Sequence, residues 1–252
     1  MTSIRSDPLL VDVVAVSPYF LVQVTDAVQA ISRVRLQGNP KLAVELANVN
    51  ALHTTEVLTK SLSMRSLEPL LRILGLLLLE QGKGYREILA YRELLPSAKR
   101  VAKEVTRIAK ESNDTELWAL ADIHLGDAYY ILGDAYWKAS EHDASLKEKS
   151  LECLTNSVHF LTRGFDSLTS VDDKLWALRL LAASWTYLHD ARQFEEAEDK
   201  AKEYIEQGLF SGVDNACMVH EGLARSYAIL GKPNRGFQAL EDARQIYGRG
   251  YQ

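Results

Sequence analysis

The sequence predicts an all-α protein, a solenoid of about five stacked helix pairs. Three observations predict it. Apolar residues recur at three- and four-residue steps along most of the chain, which draws a single stripe down a helix. Strand signals are nearly absent, and residues that start and stop helices recur at intervals suited to short antiparallel hairpins.

Residues 1–17 read as an N-terminal extension, in which Val11 to Val16 has the β-branched density of a strand but no segment to pair with. The apolar stretch Leu9 to Val24 is interrupted by Asp12 and Pro18 and has no small-residue cleavage site, so no secretion signal is expected. A helical domain then spans 18–247, with a tail at 248–252. Its first pair covers 18–60, where Ser17-Pro18 and Asn39-Pro40 each put a side-chain acceptor before a proline suited to a first helical turn. The second pair, 66–110, holds the most apolar window, Leu70 to Leu79; it contains Arg72 and is about half the roughly 20 residues needed to cross a bilayer, so it reads as a buried helix. Pro96 is expected to split the second helix of this pair. After it, Ala98, Val101, Ala102, Val105, Ile108 and Ala109 form one stripe.

The third pair, 114–168, carries stripes from Leu117 to Leu132 and from Leu151 to Phe165, separated by a polar insertion at Ser140 to Lys147. The fourth, 172–208, starts after Ser170 with Asp173, and the fifth, 214–247, after Ser211 with Asp214; both have the Ser-x-x-acid form that satisfies free amides. Gly38, Gly82, Gly133, Gly208 and Gly231 follow apolar stripes, where a left-handed residue closes a helix.

Within the last unit, Leu223-Ala224, Tyr227, Leu230-Gly231, Pro233, Gly236, Leu240 and Ala243 have a specific spacing. A large residue beside a small one lets two antiparallel helices approach, an aromatic residue fills the groove, and the glycine makes the turn. This unit resembles the tetratricopeptide repeat family. Weaker copies are Leu125-Gly126, Tyr129 and Leu132-Gly133; Phe194, Ala197, Ala201 and Tyr204; Leu74-Gly75, Leu78, Gly82, Tyr85 and Ile88; and Gly38, Pro40, Ala43 and Ala47. Family repeats recur at about 34 residues, whereas the middle units here are longer. The resemblance covers most of the chain in architecture and the last unit at motif level.

The resemblance implies a right-handed α-α superhelix whose first helices line a concave groove. It points Asp127, Tyr130, Glu221 and Arg225 into that groove, together with Trp176, Tyr187 and Arg72. Aromatic residues mixed with charges suit recognition of a protein or peptide, although Trp and Tyr at helical spacing are also ordinary core residues. The Lys and Asn pattern with which some family members clamp a C-terminal carboxylate is not recognisable.

Bulk properties narrow the function. A chain of 252 residues with 47% apolar content can bury a continuous core, and a formal charge of -5 does not favour general nucleic-acid binding. Cys153 and Cys217 lie far apart in helical segments, which fits packed thiols in a reducing, cytoplasmic setting. The sequence contains no glycine-rich phosphate loop, His-Glu-x-x-His, paired metal-spaced cysteines or Gly-x-Ser-x-Gly elbow. His124, His159 and His220 read as packed or surface histidines, and Glu141-His142-Asp143 as a solvated loop. No catalytic residue, metal or cofactor is expected.

Charge is distributed unevenly. From Gly82 to Lys110 there are eight basic and three acidic residues, with Lys99, Arg100, Lys103, Arg107 and Lys110 on the polar side of one helix. From Glu111 to Asp143 the balance inverts to eight acidic residues against Lys138. The basic stripe is either a solvated helix face or a docking surface for an acidic segment.

These observations favour a non-catalytic interaction scaffold or adaptor, with a protein or peptide partner and neither membrane nor nucleic acid. Homo-oligomerisation or membership of a larger complex is compatible with an exposed end of a repeat stack. One alternative is the peptide-sensing region of a bacterial tetratricopeptide-type transcriptional regulator whose DNA-binding headpiece lies elsewhere. Another is an enzyme whose catalytic groups converge only in three dimensions.

Overall fold

A computed structural model describes residues 18–60, 67–208 and 213–250. Among them are ten helices and no strand: α1 (Pro18–Leu36), α2 (Pro40–Lys60), α3 (Leu67–Ile88), α4 (Tyr91–Glu111), α5 (Thr115–Ala139), α6 (Leu146–Phe165), α7 (Val171–Tyr187), α8 (Ala191–Glu206), α9 (Val213–Ile229) and α10 (Pro233–Gly250). Ordinary capping chemistry sets several boundaries. Asn39 Oδ1 accepts from the Leu42 amide at 3.4 Å ahead of α2, and Ser170 Oγ from the Asp173 amide at 3.3 Å ahead of α7. Gly38, Gly208 and Gly231 have φ of 84°, 65° and 67° and end their helices in the left-handed conformation. Val11 to Val16, Ser17 and Ser211 lie outside the described residues.

Two expected helix ends are corrected. Gly82 and Gly133 lie inside α3 and α5, and neither stops a helix. Gly133 is instead a contact point: an added Cβ there would lie 2.7 Å from Leu154 Cγ, and Ser150 Oγ donates to its carbonyl at 2.7 Å. Pro96 does not split its helix either, since α4 runs through it. The ring removes one amide bond in the second turn, and the carbonyl that loses its donor belongs to Arg92, an exposed residue whose carbonyl water can reach.

The chain divides into two compact units. The first comprises Met1–Ile88 and Arg107–Asp114, the second Leu89–Thr106 and Thr115–Gln252. In the first, α1, α2 and α3 pack on one another around Val24, Ile31, Ala43, Ala47, Ile73 and Leu77. A buried ion cluster joins α1 to α3: Arg35 bonds Glu80 at 3.3 Å and Glu87 at 2.8 Å, and Lys83 bonds Glu80 at 2.8 Å. Burial opposes the charge on Glu80, but Lys83 and then Arg35 outweigh it and hold the carboxyl below its ordinary range.

In the second unit each first helix packs on its partner and on the next first helix: α5 on α6 and α7, α7 on α8 and α9, and α9 on α10. The core runs through Leu161, Leu175, Leu178, Phe194, Leu223 and Tyr227. The start of α4 joins it through Leu94 and Ala98 against Ala128 and Leu132. Small residues set the closest approach, because Gly126 faces Leu161 as Gly133 faces Leu154. Between α8 and α9, Tyr227 donates its phenol proton to the carboxylate of the buried Glu198, at 2.5 Å from either oxygen, and Lys202 bonds Glu198 at 2.6 Å.

Candidate functional site

Three helices of the second unit present one stripe each to a shared recess. Helix α5 brings Tyr130, α7 brings Arg179, Leu180, Ala183 and Tyr187, and α9 brings Gly222, Arg225, Ser226 and Ile229. Within α7 and α9 the lining residues recur at one-, three- and four-residue steps, so each set occupies one helix face. All of these positions belong to first helices of successive pairs. The recess is small. About 30 Å³ is open to the centre of a water molecule, room for the end of a side chain.

Asp134, four residues after Tyr130 on α5, organises one wall. Its carboxylate accepts from the Tyr187 hydroxyl at 2.5 Å, from Arg225 Nη2, and from Lys138 Nζ at 2.8 Å. The same Nη2 lies 3.1 Å from the Tyr187 oxygen, which closes a triangle across α5, α7 and α9. Burial first, and then the bond to Asp134, push the Tyr187 phenol far above its ordinary value, so it stays a neutral donor. Burial also raises Tyr130. Arg225 is disfavoured by burial but held charged by Tyr130, Tyr187 and Asp134. Trp137 packs on the Tyr187 ring at 5.2 Å and fixes it from behind.

On the opposite wall the Arg179 guanidinium lies over the Trp176 ring at 4.7 Å. Gly222 makes this possible, since an added Cβ would meet Arg179 Cγ at 2.9 Å. The arrangement can hold an acceptor-bearing group by hydrogen bonds.

Three of the sequence-predicted groove residues, Tyr130, Tyr187 and Arg225, meet in the recess, and Trp176 supports it. Asp127 is buried on α5, while Glu221 is exposed on α9 and is not among the lining residues. Arg72 lies in the other unit, bonded to Asp114 at 2.5 Å. The basic residues Lys99, Arg100, Lys103, Arg107 and Lys110 are all exposed along α4. Lys99 caps the Tyr129 ring at 5.6 Å, and Arg107 bonds Glu111 at 2.5 Å. His124 and His220 are buried and His159 is exposed; Glu141, His142 and Asp143 are exposed in the turn before α6.

Sequence reasoning missed Asp134, Arg179 and Ser226. Reading Gly133 as a helix stop placed Asp134 in a turn, away from the stripe it shares with Asp127 and Tyr130. Arg179 was legible as the residue three after Trp176 and four before Ala183 on the same face. Among the described residues no cluster of His, Cys, Asp and Glu could hold a metal ion, and no helix is long and apolar enough to cross a membrane. No protein-family model matches this sequence, and no curated protein matches it either.

Proposed function

We propose that this protein is a non-catalytic scaffold or adaptor of the tetratricopeptide kind, its helix pairs continuing as a right-handed α-α superhelix. It holds a peptide or protein segment on the face made by α5, α7 and α9, and the expected setting is the cytoplasm. One observation carries the reading: every residue lining the recess comes from a first helix of successive pairs. An extended segment laid across those helices meets pre-positioned aromatic and arginine side chains, which supply contact energy at low entropic cost.

Screening the intact protein against an array of peptides tests this. Peptides that bind are expected to lose about tenfold in affinity on Arg225→Ala, which corresponds to about 1.4 kcal/mol, with helicity unchanged. Binding that is insensitive to both Arg225→Ala and Tyr130→Ala, or that maps to other helices, overturns the reading.

A further inference from the structure

The recess has more donors than the protein uses. Arg225 forms all its hydrogen bonds through Nη2, so Nε and Nη1 have no acceptor among the described residues. The side chain is 47% exposed, and these two donors remain for a ligand. Ser226 is only 2% exposed and lines the recess, yet its hydroxyl makes no hydrogen bond to a described residue. The same is true of the Tyr130 hydroxyl. Two hydroxyls that bond to no described residue and the unspent donors of one guanidinium converge on one small space, a set suited to an acceptor-bearing group.

We propose that the recess receives the carboxylate of an acidic side chain, a glutamate by size, carried by the partner segment; this rests on the binding function proposed above. Charge and hydrogen-bond polarity select it. No carboxylate is among the lining residues, and Asp134 beside them is already matched by Tyr187, Arg225 and Lys138, so a cationic group finds no unpaired negative charge there. Asp127 acts on Tyr130 more weakly than Asp134, Arg225 and Arg179 do. A carboxylate is acceptor-only and can take an unspent N–H of Arg225 while receiving both hydroxyls. A neutral amide of equal shape carries no charge to match Arg225. Leu180, Ala183 and Ile229 supply apolar surface for the methylenes of the incoming side chain.

The test uses the full chain, with N-acetyl-glutamate N-methylamide as probe, followed by backbone and indole N–H resonances. Saturable shifts at the Gly222 amide and the Trp176 indole are expected. The glutamine analogue is expected to bind at least about tenfold more weakly, the value of a charge-assisted bond. Tyr130→Phe and Ser226→Ala remove hydroxyls that bond to no described residue. Both variants should keep the parent stability and lose several-fold in probe affinity.

Silence of the glutamate probe overturns the inference, and so does equal binding of its glutamine analogue. Stronger binding of N-acetyl-alanine overturns it in favour of a main-chain carboxylate, and stronger binding of a phosphoserine analogue in favour of a phosphate. If array peptides still map to α5, α7 and α9 while the glutamate probe is silent, the scaffold reading stands and only this inference falls.

Discussion

Asp134 holds together three helices that have no covalent link within the site, so its loss has a size that can be worked out. Replacing it by Ala removes the acceptor of Tyr187, Arg225 and Lys138 together. A hydrogen bond to a charged group costs about 1.5–3 kcal/mol when broken. The two cations are partly solvated, with side chains 47% and 62% exposed, so water replaces much of what they lose. The buried Tyr187 hydroxyl has no such replacement. The expected net cost is about 2–3 kcal/mol, a fall in melting temperature of about 5–10 °C for a unit of this size. All four tryptophans, Trp118, Trp137, Trp176 and Trp185, belong to the second unit, so tryptophan fluorescence in urea reports its unfolding selectively. Combining Asp134→Ala with Tyr187→Phe in a double-mutant cycle should give a coupling of about 1–2 kcal/mol. A loss below about 0.5 kcal/mol for Asp134→Ala, or additivity in the cycle, would refute the claim that this carboxylate ties the helices together.

Further outcomes follow from the packing. Gly133→Ala drives a Cβ to within 2.7 Å of Leu154 and should destabilise the second unit by about 1–3 kcal/mol in the same assay, whereas Gly248→Ala, with nothing within 4 Å, should be neutral. Glu80→Ala leaves the buried Arg35 with Glu87 as its remaining carboxylate and should cost the first unit about 1–3 kcal/mol, measured by hydrogen exchange in α1 to α3 because that unit has no tryptophan. Since the folded-state Glu80 carboxyl titrates below its ordinary value, its contribution is complete above about pH 4.5 and is lost as pH falls through the lowered value. Burial lowers the folded-state value of His220, which faces Asp242 on α10 and Lys202 and Glu198 on α8. The unfolded chain therefore takes up a proton first as pH falls below about 6.5, and the second unit should lose stability from pH 7.5 towards pH 5.5. His220→Gln should flatten that slope in urea titrations at the two pH values.

Local pattern determined the helix inventory. The stripe from Ala98 to Ala109, the Asn39 and Ser170 caps and the glycines at 38, 208 and 231 act within a few residues of themselves, so their physics is complete in the sequence and the boundaries fall close to those expected. The residues of the recess were partly legible for the same reason, because the local spacing that resembles a repeat already singled out Tyr130, Tyr187 and Arg225 together. What needed the tertiary structure was any residue whose role depends on a distant one. A glycine that ends a helix and a glycine that admits a neighbouring side chain look alike until Leu154 and Ser150 arrive from α6. With Gly133 inside α5, Asp134 turns onto the stripe of Tyr130 and meets Arg225, which is 91 positions away in the chain. Gly222 in turn makes room for Arg179 only because α7 and α9 pack side by side.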